Sequence, residues 1–294
     1  GTQPLHANSP LPQKRLRIGY ISPHFHVHPM KVFIDHILTN HDSDCFDIVC
    51  YDTRNKIKEF TKEGFNGHWV QCGAMSLDQL NNRIRSDNID ILIDLTGHNA
   101  NSSLPLLSLR PAPIQMTYLG FPGSSGLTEI DYRLTDQFAD PIDDVTDYYS
   151  EKLLRLPHSI WCYRPLRDAP PITSLPALSN GYITFGSLNT FFKLEKNSID
   201  LWAKILCAVP ESKLIVAGIP AASALSRLIE SFRAHGIDSN RIIPMAQLQL
   251  HDFYLAISRV DIALDPLKFN GGTSTCDTLW MGVPVISLAG KRFL

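Results

Sequence analysis

Residues 261–288 read DIALDPLKFNGGTSTCDTLWMGVPVISL. A short apolar run over 261–264 ends in Asp265-Pro266, and a glycine pair follows at Gly271 and Gly272. Residues 273–281 then carry apolar side chains at helical spacing, and a second apolar run occupies 283–288. Strand, glycine-rich turn, helix and strand in succession form one unit of a parallel sheet, because parallel neighbours need a crossover and a helix usually supplies it. Paired glycines allow close backbone approach, and the free N–H groups and positive dipole end of the following helix make an anion site. Thr273, Ser274 and Thr275 add hydroxyls. Asp277 either balances the dipole or accepts hydrogen bonds from a ribose. The alternative is a well-capped loop with nothing bound, since small polar residues favour helix starts in any case.

Outward from this unit the same alternation fills the second half of the chain. Strands are predicted over 182–186, 213–217 and 241–244, and helices over 198–208, 221–235 and 252–258. The first half repeats the pattern, with strands over 17–22, 46–51, 68–72, 91–96, 116–120 and 132–134 and helices over 32–38 and 77–84. Between the halves, residues 164–180 (RPLRDAPPITSLPALSN) are proline-rich and lack periodicity. The expected organisation is a linker or disordered end at 1–13, a Rossmann-like lobe at 14–165, a Pro-rich linker at 166–180 and a second such lobe at 181–294. Two open α/β sheets on a short linker imply a cleft lined by the loops at the carboxyl ends of the strands.

Composition narrows the function. Lys and Arg number 27 against 29 Asp and Glu, a net charge of −2 without long runs of either sign, which argues against a nucleic acid or an anionic membrane as partner. Apolar residues at 44% and charged residues at 19% are ordinary for a globular chain. No apolar run reaches the ~18 residues of a membrane span, and no signal-peptide pattern opens the sequence. The six cysteines show no CxxC pair and read as buried free thiols of a reducing compartment, so the cytoplasm is the expected location.

Three further segments follow predicted strands. Lys193, in FGSLNTFFKLEKN beside Phe191 and Phe192, is suited to neutralising a diphosphate; the plain alternative is a surface lysine. His24, His26 and His28 alternate just after the first strand. Together with Asp94 and His98 they compose a zinc-binding alternative, while singly a histidine there serves as general base or hydrogen-bond donor. The stretch LTGHNANSSL and the following RPAPIQMTYLGFPGSSG bring His98, Pro122, Gly123 and Ser124 into an irregular loop able to approach a sugar or peptide, or to act only as a structured turn.

Taken together, RIGYIS with His28-Pro29, LRPAPIQ, YLGFPGSSG, IDYRLTD, YSEKLLRLPHS, FFK, LWAKILCAVPESKL and DIALDPLKFNGGTSTCDTLWMGVPVISLAG resemble, in order, the catalytic region of the protein O-GlcNAc transferase family, which includes the SPINDLY-type enzymes. The resemblance implies a GT-B fold, α/β with two Rossmann-like lobes and a donor cleft between them. It implies inverting transfer of a sugar from a nucleotide donor to Ser or Thr hydroxyls without a metal or other cofactor, and leaving-group stabilisation as the larger catalytic effect. It further implies that Lys193 holds the diphosphate, that Thr273 and Ser274 bind phosphate oxygens, that Asp277 contacts the ribose and that His28 lies near the reacting centre. Asn189, Thr190, Phe253, Gly271 and Gly272 join the donor site, and His98, Pro122, Gly123 and Ser124 a sugar or acceptor loop. Gly272 stands where the animal enzymes carry His, Phe253 where they stack a His on uracil, and His24 where an acidic residue is usual. The donor expected is UDP-GlcNAc, with a GDP-sugar as alternative, and the acceptor a protein or peptide. Tetratricopeptide repeats are expected outside this chain, and the second lobe is expected to stop short of the family's length. A non-catalytic nucleotide- or protein-binding module of the same fold is the competing reading.

Overall fold

The computed structural model describes residues 6, 8, 14–26, 28–55, 64–142, 148–165 and 169–290. Most of the expected 1–13 end, the first three residues of the expected linker and residues 291–294 lie outside the described residues. Two compact units part between Arg164 and Pro165.

The first unit contains β1 (Leu16–Ser22), α1 (Lys31–Thr39), β2 (Phe46–Asp52), β3 (His68–Gln71), α2 (Leu77–Ser86), β4 (Ile91–Asp94), α3 (Leu104–Leu107), β5 (Ile114–Thr117), β6 (Tyr132–Asp136) and β7 (Lys152–Leu156). The strands form one sheet in the order β3-β2-β1-β4-β5-β6-β7, parallel throughout. Alternation along β1 assigns its faces. Ile18 and Tyr20 join Ile48, Cys50 and Ile93 in a core with Ile34 and Leu38 of α1, whereas Ile21 joins Val49, Tyr51 and Leu92 in a core with Leu80 and Ile84 of α2 and Leu107 of α3. A sheet with helices on both faces buries both sides of its strands, which is why they read as near-continuous apolar runs. The Ser76-x-x-Gln79 spacing closes a capping box at the start of α2, satisfying two backbone donors reciprocally.

The second unit contains α4 (Pro176–Asn180), β8 (Thr184–Ser187), α5 (Lys196–Ala208), β9 (Lys213–Ile219), α6 (Ala222–Arg233), β10 (Ile242–Ala246), α7 (Leu250–Ile257), β11 (Ile262–Leu264), α8 (Thr273–Trp280) and β12 (Val285–Ile286). Its sheet, again parallel, has the order β10-β9-β8-β11-β12. Leu214 and Val216 pack on Trp202 and Leu206 of α5 and Leu228 and Phe232 of α6, while Ile215 and Ala217 face Tyr254 and Ile257 of α7.

Four details depart from the expectation. β5 ends at Thr117 rather than at residue 120, because Leu119 turns to φ 66° and Gly120 lies against the backbone of Leu95, where a Cβ would come within 2.0 Å of the Leu95 carbonyl oxygen. β7 and α3 escape periodicity because one is an edge strand with partly exposed side chains and the other is a single turn. The Pro-rich stretch includes α4, which starts at Pro176, where proline needs no N–H, and ends at Gly181 in the left-handed conformation. The cysteines are free, but Cys45, Cys162 and Cys207 are exposed, correcting the expectation of burial. Cys45 precedes β2, Cys162 follows β7 and Cys207 occupies an outward position near the end of α5, so an apolar neighbourhood in sequence did not mean an interior one.

Candidate functional site

Strand order reverses direction between β1 and β4 in the first sheet and between β8 and β11 in the second. Crevices open at the carboxyl ends of strands at such switch points, and ligands of doubly wound sheets occupy them. The sequence candidates cluster at these two places, each within its own unit.

In the second unit, the loops after β8 and β11 meet around a recess of about 210 Å³ lined by Asn189, Asp265, Ser274 and Thr275 among others. Lys193 ends a short 3₁₀ turn, Phe191–Lys193. Its ammonium donates to the Asn270 carbonyl at 2.6 Å and stands 4.2 Å from the centre of the Phe269 ring. Burial lowers its pKa from the usual lysine value, and the negative charge of Asp265 offsets part of that effect. Gly272 caps α8 without a side-chain hydrogen bond, so the helix start keeps its dipole and its first N–H groups for an anion. A Cβ on Gly271 would fall 2.2 Å from Thr275 Oγ1 and 2.9 Å from Asn189 Oδ1, so any larger residue would displace these side chains. Thr275 Oγ1 itself is buried with no hydrogen-bond partner among the described residues.

The other donor-site candidates take different places. Asn189 lines the recess, accepting from Ser274 Oγ at 3.0 Å and donating to Asp265 Oδ1 at 3.0 Å. Thr190 is exposed and its carbonyl accepts the Lys193 N–H. Thr273 opens α8. Asp277 is 5% exposed and accepts the Tyr254 hydroxyl at 3.0 Å; Phe253, on α7, is half-buried against the same core. Neither of these two lines the recess.

In the first unit, a recess of about 200 Å³ lies at the ends of β4 and β5, lined by Asp94, Gly97, Thr117, Phe121, Gly123 and Ser125. The loop after β5 has little secondary structure and is held instead by buried polar groups. Arg133, 2% exposed, donates to the carbonyls of Phe121 at 2.8 Å and Gly123 at 3.1 Å. Glu151 accepts from the Ser125 N–H at 2.6 Å, from Ser124 Oγ at 2.8 Å and from the Ser125 hydroxyl. Burial pushes the Glu151 carboxyl upward, and these hydrogen bonds outweigh it, leaving the pKa below the ordinary value. His98 Nε2 lies 3.0 Å from the Ser125 carbonyl, and Pro122 is half-buried in the same loop. Asp94 accepts the N–H groups of Thr96 at 3.2 Å and Gly97 at 2.6 Å; burial raises its pKa to about 6 despite them.

The histidines after β1 form a cluster, with the rings of His24 and His28 stacked at 4.0 Å and His26 5.8 Å from His28. Burial, with the neighbouring imidazoles, pushes His28 down to about 4, so it is neutral at pH 7. Its Nδ1 accepts the Met30 N–H at 3.2 Å, which leaves the ring proton on Nε2 and makes that atom a donor. Among the described residues no group of three or more His, Cys, Asp or Glu is arranged to hold a metal ion.

Sequence reading passed over Asp265, Arg133 and Glu151. Arg133 and Glu151 stand inside IDYRLTD and YSEKLLRLPHS, and Asp265 ends the apolar run of β11, so each was in view. Their partners, up to 76 residues away, were not.

Comparison with known proteins agrees with this architecture. The model of Glycosyl transferase family 41 matches residues 3–163 and 173–293. An Arabidopsis thaliana protein described as "Probable UDP-N-acetylglucosamine--peptide N-acetylglucosaminyltransferase SPINDLY" is 39% identical over 292 residues, 95% of this chain and 32% of that protein. The chain therefore spans about a third of the length of such relatives. A lysine-to-methionine mutant of Thermobaculum terrenum O-GlcNAc transferase superposes with a TM-score of 0.90 at 30% identity, covering 99% of this chain and 56% of that one. Sucrose-phosphate synthase of Thermosynechococcus elongatus, at 12% identity and a TM-score of 0.56 over 93% of this chain and 81% of its own, shares the fold alone. The expected GT-B class, built from Rossmann-like parallel sheets, is the one these neighbours have in common. The chain belongs to glycosyl transferase family 41.

Proposed function

We propose that this chain carries the donor-binding and transfer core of a protein O-GlcNAc transferase, which moves GlcNAc from UDP-GlcNAc to Ser or Thr hydroxyls of proteins. The observation that carries this reading is the pairing of Lys193 with the uncapped start of α8 at the switch point of the second sheet. A pyrophosphate needs a cation and converging N–H donors, and this place has both. During transfer, negative charge grows on the departing nucleoside diphosphate. Lys193, Thr273 and Ser274 are the groups we assign to hold it, which makes leaving-group stabilisation the main contribution of this unit. Asn189, Thr190, Gly271 and Gly272 shape that site, while Phe253 and Asp277 serve the base and ribose. His28, neutral with Nε2–H outward from its Met30 bond, acts as a hydrogen-bond donor near the sugar. His98, Pro122, Gly123 and Ser124 form the sugar or acceptor loop. In this reading the protein works in the cytoplasm without a metal, and tetratricopeptide repeats in the whole protein present the acceptor. Among the described residues no helix is long and apolar enough to cross a membrane.

Calorimetric titration of the chain with UDP and with GDP tests the proposal. Saturable UDP binding, weakened about 10- to 100-fold by Lys193→Ala as expected for loss of a charged hydrogen bond, supports it. Preference for GDP moves the donor to a GDP-sugar, and equal binding to wild type and variant removes Lys193 from the phosphate site.

A further inference from the structure

Asp265 sits at the end of β11 and is 4% exposed. Its two oxygens accept four hydrogen bonds from three separate segments. Oδ1 takes Asn189 Nδ2 at 3.0 Å and the Gly271 N–H at 2.9 Å; Oδ2 takes Asn270 Nδ2 at 3.3 Å and the Ser287 hydroxyl at 3.0 Å. No cation among the described residues stands within ion-pair distance of it. A buried carboxylate satisfied by neutral donors alone is costly, and here it lies on the wall of a recess that suits an anion. A negative charge in such a place repels the ligand unless it does something else for the site.

We infer that Asp265 is the positioning residue of the phosphate recess, holding the turn at 270–272, whose Asn270 main-chain carbonyl takes Lys193, and the Asn189 side chain that takes Ser274. Three of its four donors bear on the groups of the recess. Asn270, gripped by Oδ2, presents its carbonyl to the Lys193 ammonium. Asn189, gripped by Oδ1, turns its own oxygen to the Ser274 hydroxyl. Gly271, held through its N–H, is packed against Thr275 and Asn189 so closely that a Cβ would overlap both. With its lone pairs spent on these donors, the carboxylate offers no acceptor to compete with phosphate, and its charge favours the protonated form of Lys193 against the burial that opposes it. Asp277, the other buried acid of this region, is engaged by the Tyr254 hydroxyl, so Asp265 is the acid that bears on Lys193.

An amide at this position has one accepting oxygen and turns two N–H donors toward groups that are donors themselves. The inference builds on the diphosphate reading, and its test separates the two. Wild-type chain and Asp265→Asn are titrated with UDP and with uridine, and Lys193 is followed through pH by the NMR signal of its dimethylated side chain, assigned with Lys193→Arg. The expected result is roughly a tenfold or greater loss of UDP affinity with uridine binding unchanged, together with a lower pKa for Lys193 and an unaltered far-UV circular dichroism spectrum. Unchanged UDP affinity in the variant overturns the inference, as does a Lys193 titration that does not move. If wild-type chain fails to bind UDP, the functional proposal fails while the Lys193 titration still decides for or against Asp265.

Discussion

Replacing Arg133 by Met removes a buried cation and keeps only an unbranched apolar stem. The guanidinium serves the carbonyls of Phe121 and Gly123 and lies 3.9 Å from the carboxylate of Asp140, itself 8% exposed. Each carbonyl left without its donor costs about 1–3 kcal/mol. Asp140 loses its cation while keeping the Thr135 and Tyr149 hydroxyls, and breaking a buried charged pair by removing one partner costs about 3–5 kcal/mol in all. For a unit of this size each kcal/mol moves the midpoint by about 2–4 °C, so the thermal transition of the first unit is expected to fall by about 6–20 °C. Arg133→Lys keeps the charge but has one short reach instead of a fork, and should lose about half as much. Scanning calorimetry of the three proteins measures this. A shift below about 2 °C for the Met variant would mean that the loop after β5 is held by its own packing, and would refute the account of Arg133 given above.

Two other perturbations separate turn shape from charge. Gly271→Ala puts a methyl group 2.2 Å from Thr275 Oγ1 in a turn that has no slack, and is expected to cost about 1–3 kcal/mol of stability and to abolish measurable UDP binding by calorimetry; retention of wild-type affinity would show that the turn can yield. Asp94→Asn tests the raised carboxyl: because the folded state binds this proton more tightly than the unfolded one, the contribution is complete below about pH 4 and is lost as pH rises through about 6. Measured by urea unfolding at pH 4 to 7, wild type should lose about 2.4 kcal/mol relative to the variant across that range. The depressed histidines His24 and His28 act in the opposite sense but are common to both proteins and cancel in the difference. A difference that is flat with pH would mean that Asp94 titrates normally.

The fold was legible because a parallel sheet covered on both faces writes itself as apolar runs separated by helical spacing, and eleven of the twelve strands carried that mark. β7 did not, since its edge position leaves Lys152 and Leu154 exposed, and β12 reduced to two paired residues from the expected 283–288 run. At the site, Lys193 and the 270–275 turn were visible because residue type and local order suffice to imply an anion site. The groups that hold these parts in place were not. Asp265, Arg133 and Glu151 act through hydrogen bonds to loops remote in sequence, and no local pattern marks a carboxylate whose donors come from Asn189 and Ser287. Asp277 illustrates the converse: its position near a helix start suggests an exposed role, whereas the Tyr254 hydroxyl meets it inside the core.

The strand order also bears on how the chain is made. In each sheet the first strand of the unit lies in the interior, and its second neighbour comes late: the amide of Arg17 bonds to Asp90, 73 residues on, and that of Thr184 to Asp261, 77 residues on. At about 5–20 residues per second of synthesis, β1 and β8 each wait roughly 4–15 s after emerging before their second partner exists. During that interval an interior strand of the unit has one open edge. The nascent chain is therefore most exposed to mispairing at these interior strands, and a pause in translation before β4 or β11 has been made would lower the yield of folded protein more than a pause after that strand has emerged.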